Sequence, residues 1–147
     1  MNNHQIEAVL TNVPSFGGVY SRDNLPSVLN KPLSLIVNTD SSGESGEHWV
    51  AIHFPKSGTC EYFDPFGFPP LHNMFFTYIN QNSTKHLIYS CKTIQHPSSQ
   101  LCGTYCIEFI LARSRNQSYS KFLSRFQTNT IFNDRLLARK HEKNKNI

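Results

Sequence analysis

The chain has 147 residues, a formal net charge of +4, 38% hydrophobic residues and 16% charged residues. That length supports one domain with its own core and no need of disulfides, and that composition excludes a disordered chain. The charge is uneven, with nine basic and two acidic side chains in residues 113–147 against five basic and eight acidic in residues 1–112.

The N-terminal run MNNHQIEAVLTNV has no basic leader and no apolar segment, so no signal peptide is expected. No stretch is long and apolar enough to span a bilayer, and no membrane association is expected. Residues 4–12 are compatible with a short helix. Phe16-Gly17-Gly18-Val19-Tyr20 reads as a turn into an extended piece, and Ser21 to Lys31 as a loop. Leu33 to Val37 reads as a buried strand and Asn38 to Glu47 as a polar loop. His48 to Phe54 is a second strand, Pro55 to Gly58 a hairpin turn, and Thr59 to Asp64 the returning strand. That hairpin brings His48 and Asp64 to the open ends of two paired strands.

Pro65 to Pro70 breaks the pattern. His72 to Asn80 can form a helix, and Lys85 to Gln95 alternates like a third core strand. His96 to Gln100 is a loop. Cys102 to Arg113 is apolar nearly all round and is therefore expected to be a buried helix. Ser118 is placed to cap a second helix with Tyr119, Phe122, Leu123 and Phe126 on one face and Lys121 and Arg125 on the other. Residues 130–141 form a third. The domain spans 1–147, with a basic tail, 142–147, expected to fray.

Within this order lie a histidine, a carboxylate, an amide and a thiol: His48, Asp64, Gln95 and Cys102. A thiol protease uses these groups as base, orienting acid, oxyanion donor and nucleophile. Cys102 enters a helix N-terminus, whose partial positive charge and free N–H groups favour a thiolate. Gly103 permits close backbone approach and aims the Cys102 N–H at an oxyanion. Trp49 either roofs the site or fills the core. Each residue also has an ordinary reading: a core cysteine, a strand histidine, a turn-forming aspartate. Gln95 can equally be an exposed strand-end amide, and Gln100 competes with it from the loop.

Cys60, Cys91, Cys102 and Cys106 are expected to be free thiols in an intracellular, reducing compartment. Cys102, Cys106 and the nearby histidines lack a paired-ligand spacing, so no metal site is expected. Arg113, Arg115, Lys121, Arg125, Arg135, Arg139 and Lys140 are the residues a nucleic acid would meet, and a solvated basic end is the plain alternative.

Taken together, the segments Gly46-Glu47-His48-Trp49-Val50-Ala51, Cys60-Glu61-Tyr62-Phe63-Asp64-Pro65-Phe66-Gly67-Phe68 and Gln95 through Cys102-Gly103 resemble the adenovirus protease (adenain) family over roughly residues 5–125. The wider clan includes SUMO-specific proteases and has the same residue order. The resemblance implies an α+β fold, with a central mixed sheet flanked by helices and the nucleophile at the start of a buried helix. It implies Cys102 as nucleophile, His48 as general base, Asp64 as orienting acid and Gln95 as oxyanion donor, with no cofactor needed for the chemistry.

Adenovirus enzymes usually have glutamate where Asp64 stands; aspartate is common in the wider clan. The resemblance further implies cleavage of virion precursor proteins at small-residue, glycine-containing sites. It also implies activation by DNA and by a viral peptide through a disulfide, and residence in the host nucleus and the virion. Neither Cys60 nor Cys91 maps onto the peptide-bonding position. A monomer is expected. Two other readings stand beside this one: an isopeptidase acting on ubiquitin-like tails, and a nucleic-acid-binding structural protein with a vestigial site.

Overall fold

Residues 33–38 and 49–54 are apolar on both faces, the pattern of strands covered on both sides. In the computed structural model, which describes residues 1–44, 48–83 and 87–145, they are central strands. The sheet contains β1 (Phe16–Ser21), β2 (Leu33–Asn38), β3 (Trp49–Phe54), β4 (Glu61–Phe63) and β5 (Ile88–Tyr89), side by side in chain order. The β1/β2 and β4/β5 pairs are parallel, and β2/β3 and β3/β4 are antiparallel, so the sheet is mixed.

Strand alternation divides the core into two layers. On one face Ile36, Trp49, Ala51 and Phe63 meet α1 (Asn3–Leu10), α3 (Cys102–Ser114), α4 (Tyr119–Ser124) and α5 (Thr130–Lys145). On the other, Leu35, Val37, Val50, Ile52, Phe54 and Tyr62 meet Phe75, Tyr78 and Ile79 of α2 (Asn73–Asn82). Helices therefore cover both faces of a mixed sheet, as expected. Phe63 joins β4 to the helical layer: its ring stacks on Phe109 at 4.9 Å and meets the edges of Tyr119 and Phe122. Tyr119 adds a hydrogen bond from its hydroxyl to the Tyr62 carbonyl, 2.8 Å.

Helix α3 is buried along almost its whole length, which explains its apolar circumference. Asn2 caps α1 reciprocally with Gln5, and the Ser118 hydroxyl accepts from Lys121 N at the start of α4.

Two expectations need correction. The segment from Lys85 to Gln95 is not a core strand. Lys85 lies outside the described residues, and pairing is confined to the two-residue edge strand β5, whose Ile88 and Tyr89 are exposed. Strand β4 offers only a short ladder, and the backbone beyond it is engaged elsewhere. Ile94 N and Gln95 N both donate to the Pro65 carbonyl, while the Ile94 carbonyl accepts from Tyr105 Oη and Asn133 Nδ2. The second correction is at the C-terminus. The helix expected over residues 130–141 runs on to Lys145. Its last turns are anchored on Glu108, a buried carboxylate of α3: Lys140 Nζ lies 2.8 Å and His141 Nε2 3.4 Å from Glu108 Oε1.

Burial alone would raise the Glu108 pKa. Hydrogen bonds from His141, Lys140 and Arg125 and the Lys140 charge outweigh that and hold it at about 2, against 4.5 ordinarily. A depressed carboxylate pKa adds stability that is fully present above the unfolded value and is lost as pH falls through the folded one. Glu108→Gln is therefore expected to destabilise the domain by about 1–3 kcal/mol at pH 7. The gap to wild type should narrow as the pH drops from 4.5 towards 2. Urea unfolding at several pH values measures both.

Candidate active site

The site is assembled at the ends of β3 and β4 and the start of α3. His48 immediately precedes β3 and Asp64 immediately follows β4, and antiparallel register (Ala51 opposite Phe63) sets those two positions beside each other. His48 Nε2 lies 2.8 Å from Asp64 Oδ1. The ring's other nitrogen is thereby left for Cys102, which is near enough for each group to shift the other's pKa. Asp64 is 5% exposed, so its carboxylate bonds are scarcely diluted by water.

The turn that carries Asp64 is built for this. Asp64 Oδ1 also accepts from Phe66 N at 2.8 Å, and Gly67 N donates to the Asp64 carbonyl at 2.8 Å. Gly67 has φ +80°, and a Cβ there would lie 2.9 Å from the backbone of residues 91–93, so glycine is required on two counts. The Phe66 ring stacks on the His48 imidazole at 4.7 Å. Phe66 thus fixes acid and base together, one through its N–H and the other through its ring. Sequence reading placed it in the acidic segment without a role; the Asp-Pro-Phe-Gly turn pattern was the available signal.

Cys102 is the first residue of α3 and is 7% exposed. Burial of the sulfur would raise its pKa, but hydrogen bonds from His48 and from the Trp49 and Gly103 backbones, with the His48 charge, outweigh it and lower the pKa. For His48, burial would lower the pKa; hydrogen bonds to Asp64 and Cys102 and the two negative charges raise it from 6.5 to about 9. Each group favours the charged form of the other, which is an imidazolium–thiolate pair. The other buried cysteines behave oppositely. Burial pushes Cys60 up to about 12 and Cys106 well above the ordinary thiol value. All four are free.

Trp49 fills the core, one of its two suggested purposes. It belongs to the core beside α3 and also borders a cleft of about 730 Å³ shared with Met1, Gln5, Tyr20, Asn38 and Asp40. Its indole N–H donates to the Met1 carbonyl at 3.2 Å. A Cβ on Gly103 would stand 3.2 Å from Trp49 Cδ1 and 3.5 Å from both Ile6 Cδ1 and Met1 Sδ, so the backbone beside Cys102 is closely packed. Met1 at this position carried no signal in the sequence.

Gln95, expected as oxyanion donor, is not the exposed strand-end amide of the ordinary reading. It is fully buried, its Nε2 donates to the Ser99 carbonyl at 3.0 Å, and its Oε1 has no partner. Ser99 Oγ in turn accepts from Leu101 N at 3.2 Å, so Gln95 braces the turn that delivers Cys102. Gln100 lies in that turn and is exposed. The Cys102 N–H, at a helix start where no intrahelical acceptor exists, is the donor the geometry provides for an oxyanion.

Of the seven basic candidates, three are taken by internal carboxylates: Arg113 by Glu61 at 2.7 Å, and Arg125 and Lys140 by Glu108 at 3.2 and 2.8 Å. Among the described residues, Arg115, Lys121, Arg135 and Arg139 make no ion pair, so the surface offered to a polyanion is smaller than the charge count suggests. Gly46 and Glu47 of the histidine segment lie outside the described residues. Among the described residues no group of three or more His, Cys, Asp or Glu side chains is arranged to hold a metal, and no helix is long and apolar enough to cross a membrane.

The family model of the adenovirus endoproteases matches residues 16–136. The protease of fowl adenovirus A serotype 1 is 31% identical over 118 residues, covering 70% of this chain and 57% of that protein. The SUMO-1 cysteine protease of African swine fever virus is 36% identical over 100 residues, covering 60% of this chain and 36% of the relative. A crystal structure of a protease from the same virus superposes with a TM-score of 0.50 at 26% identity, covering 65% of this chain and 40% of that one. The chain spans about half the length of the curated adenovirus relatives it matches.

Asp64→Asn keeps the size of the side chain but removes the charge that supports the imidazolium. Its expected effect is a loss of Cys102 reactivity and turnover of about 10²–10⁴-fold with the fold intact. Phe66→Ala should give a smaller loss in the same direction. Initial-rate kinetics alongside circular dichroism test both.

Proposed function

The chain belongs to the adenovirus endoprotease family, and we propose that it is a cysteine endopeptidase whose nucleophile is Cys102. The observation that carries this reading is the single imidazole of His48 bridging the Cys102 thiol and the Asp64 carboxylate. The Cys102 thiolate adds to a peptide carbonyl carbon, and the negative charge moves to the carbonyl oxygen, where the Cys102 N–H meets it. Collapse of the tetrahedral intermediate breaks the C–N bond, and the His48 imidazolium gives its proton to the leaving amine. Neutral His48 then takes a proton from water, and the resulting hydroxide attacks the thioester. Collapse of that intermediate expels the thiolate, restores the charged pair and releases the acid product. Asp64 holds the ring in one orientation throughout and supports its charge. Gln95 acts as a positioning residue, through the Ser99 turn.

The family resemblance, together with the closely packed backbone beside Cys102, supports substrates with small residues, glycine above all, at the scissile bond. The cleft bordered by Trp49 and Asp40 supports an extended peptide on one side of it. Precursor proteins of a virus or virus-like particle are the substrates this reading favours. An isopeptidase acting on ubiquitin-like tails would use the same groove, and one viral relative bears a SUMO protease name.

Peptide libraries varied around a central glycine, read by mass spectrometry, test the proposal. Cleavage is expected at Gly-containing sites, falling by at least about 10⁴-fold in Cys102→Ala. Covalent capture of a ubiquitin-like vinyl sulfone by Cys102, without peptide cleavage, would instead establish the isopeptidase. Equal turnover by wild type and Cys102→Ala would refute both.

A further inference from the structure

At the opposite end of β3 from His48 lies a second polar assembly that the protease chemistry does not use. Register places Ser34 of β2, His53 of β3 and Glu61 of β4 in one row across the sheet, on the face covered by α3. Ser34 Oγ is 2.7 Å from His53 Nδ1, and Glu61 is bound by Arg113 Nε at 2.7 Å. His53 is 4% exposed and borders a cavity of about 460 Å³ between the end of α3 and the turns at residues 14–15, 30–32 and 55–56. That is a typical size for a small-ligand pocket. Five residues of strand separate His53 from His48, roughly 17 Å at the usual rise. The cavity is therefore separate from the cleavage site.

Its chemistry has one sign. Lys31, Lys56 and Arg113 line it, and none of its lining residues is acidic. Lys31 Nζ is turned to the other face of the sheet, over the Phe54 ring and onto the Asn82 carbonyl, whereas Arg113 uses Nε on Glu61 and Nη1 on Gln117 O and keeps further donors. Lys56 is exposed and, among the described residues, has no ion-pair partner. Two buried polar side chains add to the wall. Ser15 Oγ, on a residue 9% exposed, has no hydrogen-bond partner. His53 has committed Nδ1 to Ser34 and makes no other hydrogen bond among the described residues, so Nε2 remains for the cavity. The carbonyls of Leu111, Ala112 and Arg113 at the end of α3, which would repel an anion, are occupied by Ser114 Oγ and by the backbone N–H groups of Arg115, Asn116 and Gln117.

We propose that this cavity is a binding site for a small oxyanion, the phosphate or carboxylate group of a ligand, held by Lys56 and Arg113 with Ser15 Oγ and His53 Nε2 as hydrogen-bond partners. An unpaired buried hydroxyl is costly, and a cluster of cations without carboxylates concentrates anions. Charge-assisted bonds from lysine and arginine to oxyanions are the strong kind. Without a ligand, burial and then the Arg113 charge depress the His53 pKa to about 4, so the ring is neutral at pH 7. A bound anion beside it opposes the second of these effects.

The test follows the His53 ring resonances in the full-length chain as inorganic phosphate or acetate is added, at constant ionic strength. Wild type is expected to show a saturable shift. Lys56→Glu and Ser15→Ala should weaken it, Lys56→Glu by at least about tenfold, while the alkylation rate of Cys102 stays unchanged. Saturation by phosphate alone assigns a phosphate ligand, and saturation by acetate as well assigns an oxyanion of either kind. A linear, unsaturated response, or one identical in wild type and Lys56→Glu, overturns the proposal.

Discussion

One imidazole shared between a buried carboxylate and a thiol is the interaction on which the rest of the structure depends. His48 reaches Asp64 at 2.8 Å and Cys102 on its other side, and both partners are less than a tenth exposed. Two opposite charges at this depth are stable only when each is well paired and hydrogen-bonded. The surrounding architecture supplies those bonds. The Phe66 N–H serves Asp64, the Trp49 and Gly103 backbones serve the sulfur, and the Phe66 ring covers the imidazole.

Three elements must arrive together for this to happen, and each is held by packing remote from the chemistry. The β3/β4 hairpin sets histidine and aspartate across from each other. The Phe63 contacts with Phe109, Tyr119 and Phe122 fix the β4 end against the helical layer. Helix α3 lies along β3, with Cys106 Sγ donating to the Trp49 carbonyl at 3.5 Å, which keeps the first turn of the helix beside the start of the strand. The turn before Cys102 is in turn bound to Gln95, whose N–H is tied to the Pro65 carbonyl. Acid segment and nucleophile segment are thus connected twice, through the imidazole and through the backbone.

What was legible in the sequence was local or followed from strand register. The hairpin from His48 to Asp64, the apolar circumference of α3 and the Ser118 cap could each be read because neighbouring residues decide them. What could not be read depended on distant partners. The alternation after Lys85 looked like a strand, yet Tyr105, Asn133 and Pro65 claim its backbone. Nothing near Gln95 in the sequence signals that it is fully buried and bonded to the Ser99 turn. Nothing local told that Arg113 and Arg125 of the basic C-terminal third would meet the buried Glu61 and Glu108, 52 and 17 residues away in sequence. Lys140 also meets Glu108, and α5 runs past residue 141, where the sequence pattern ended, to Lys145. In the same way Lys56 and Arg113, the cations beside His53, are far apart in sequence and meet only because the turns converge there on the end of α3.

The charged state of the pair is the centre of this account, and the alkylation rate of Cys102 against pH, in wild type and His48→Ala, measures it most directly. The account predicts fast labelling well below the usual thiol pKa of about 8.5 in wild type. His48→Ala should label slowly at neutral pH and follow an ordinary or raised thiol pKa, since burial is then opposed only by the Trp49 and Gly103 backbone hydrogen bonds. Identical profiles in the two proteins, both rising only above pH 8.5, would contradict it.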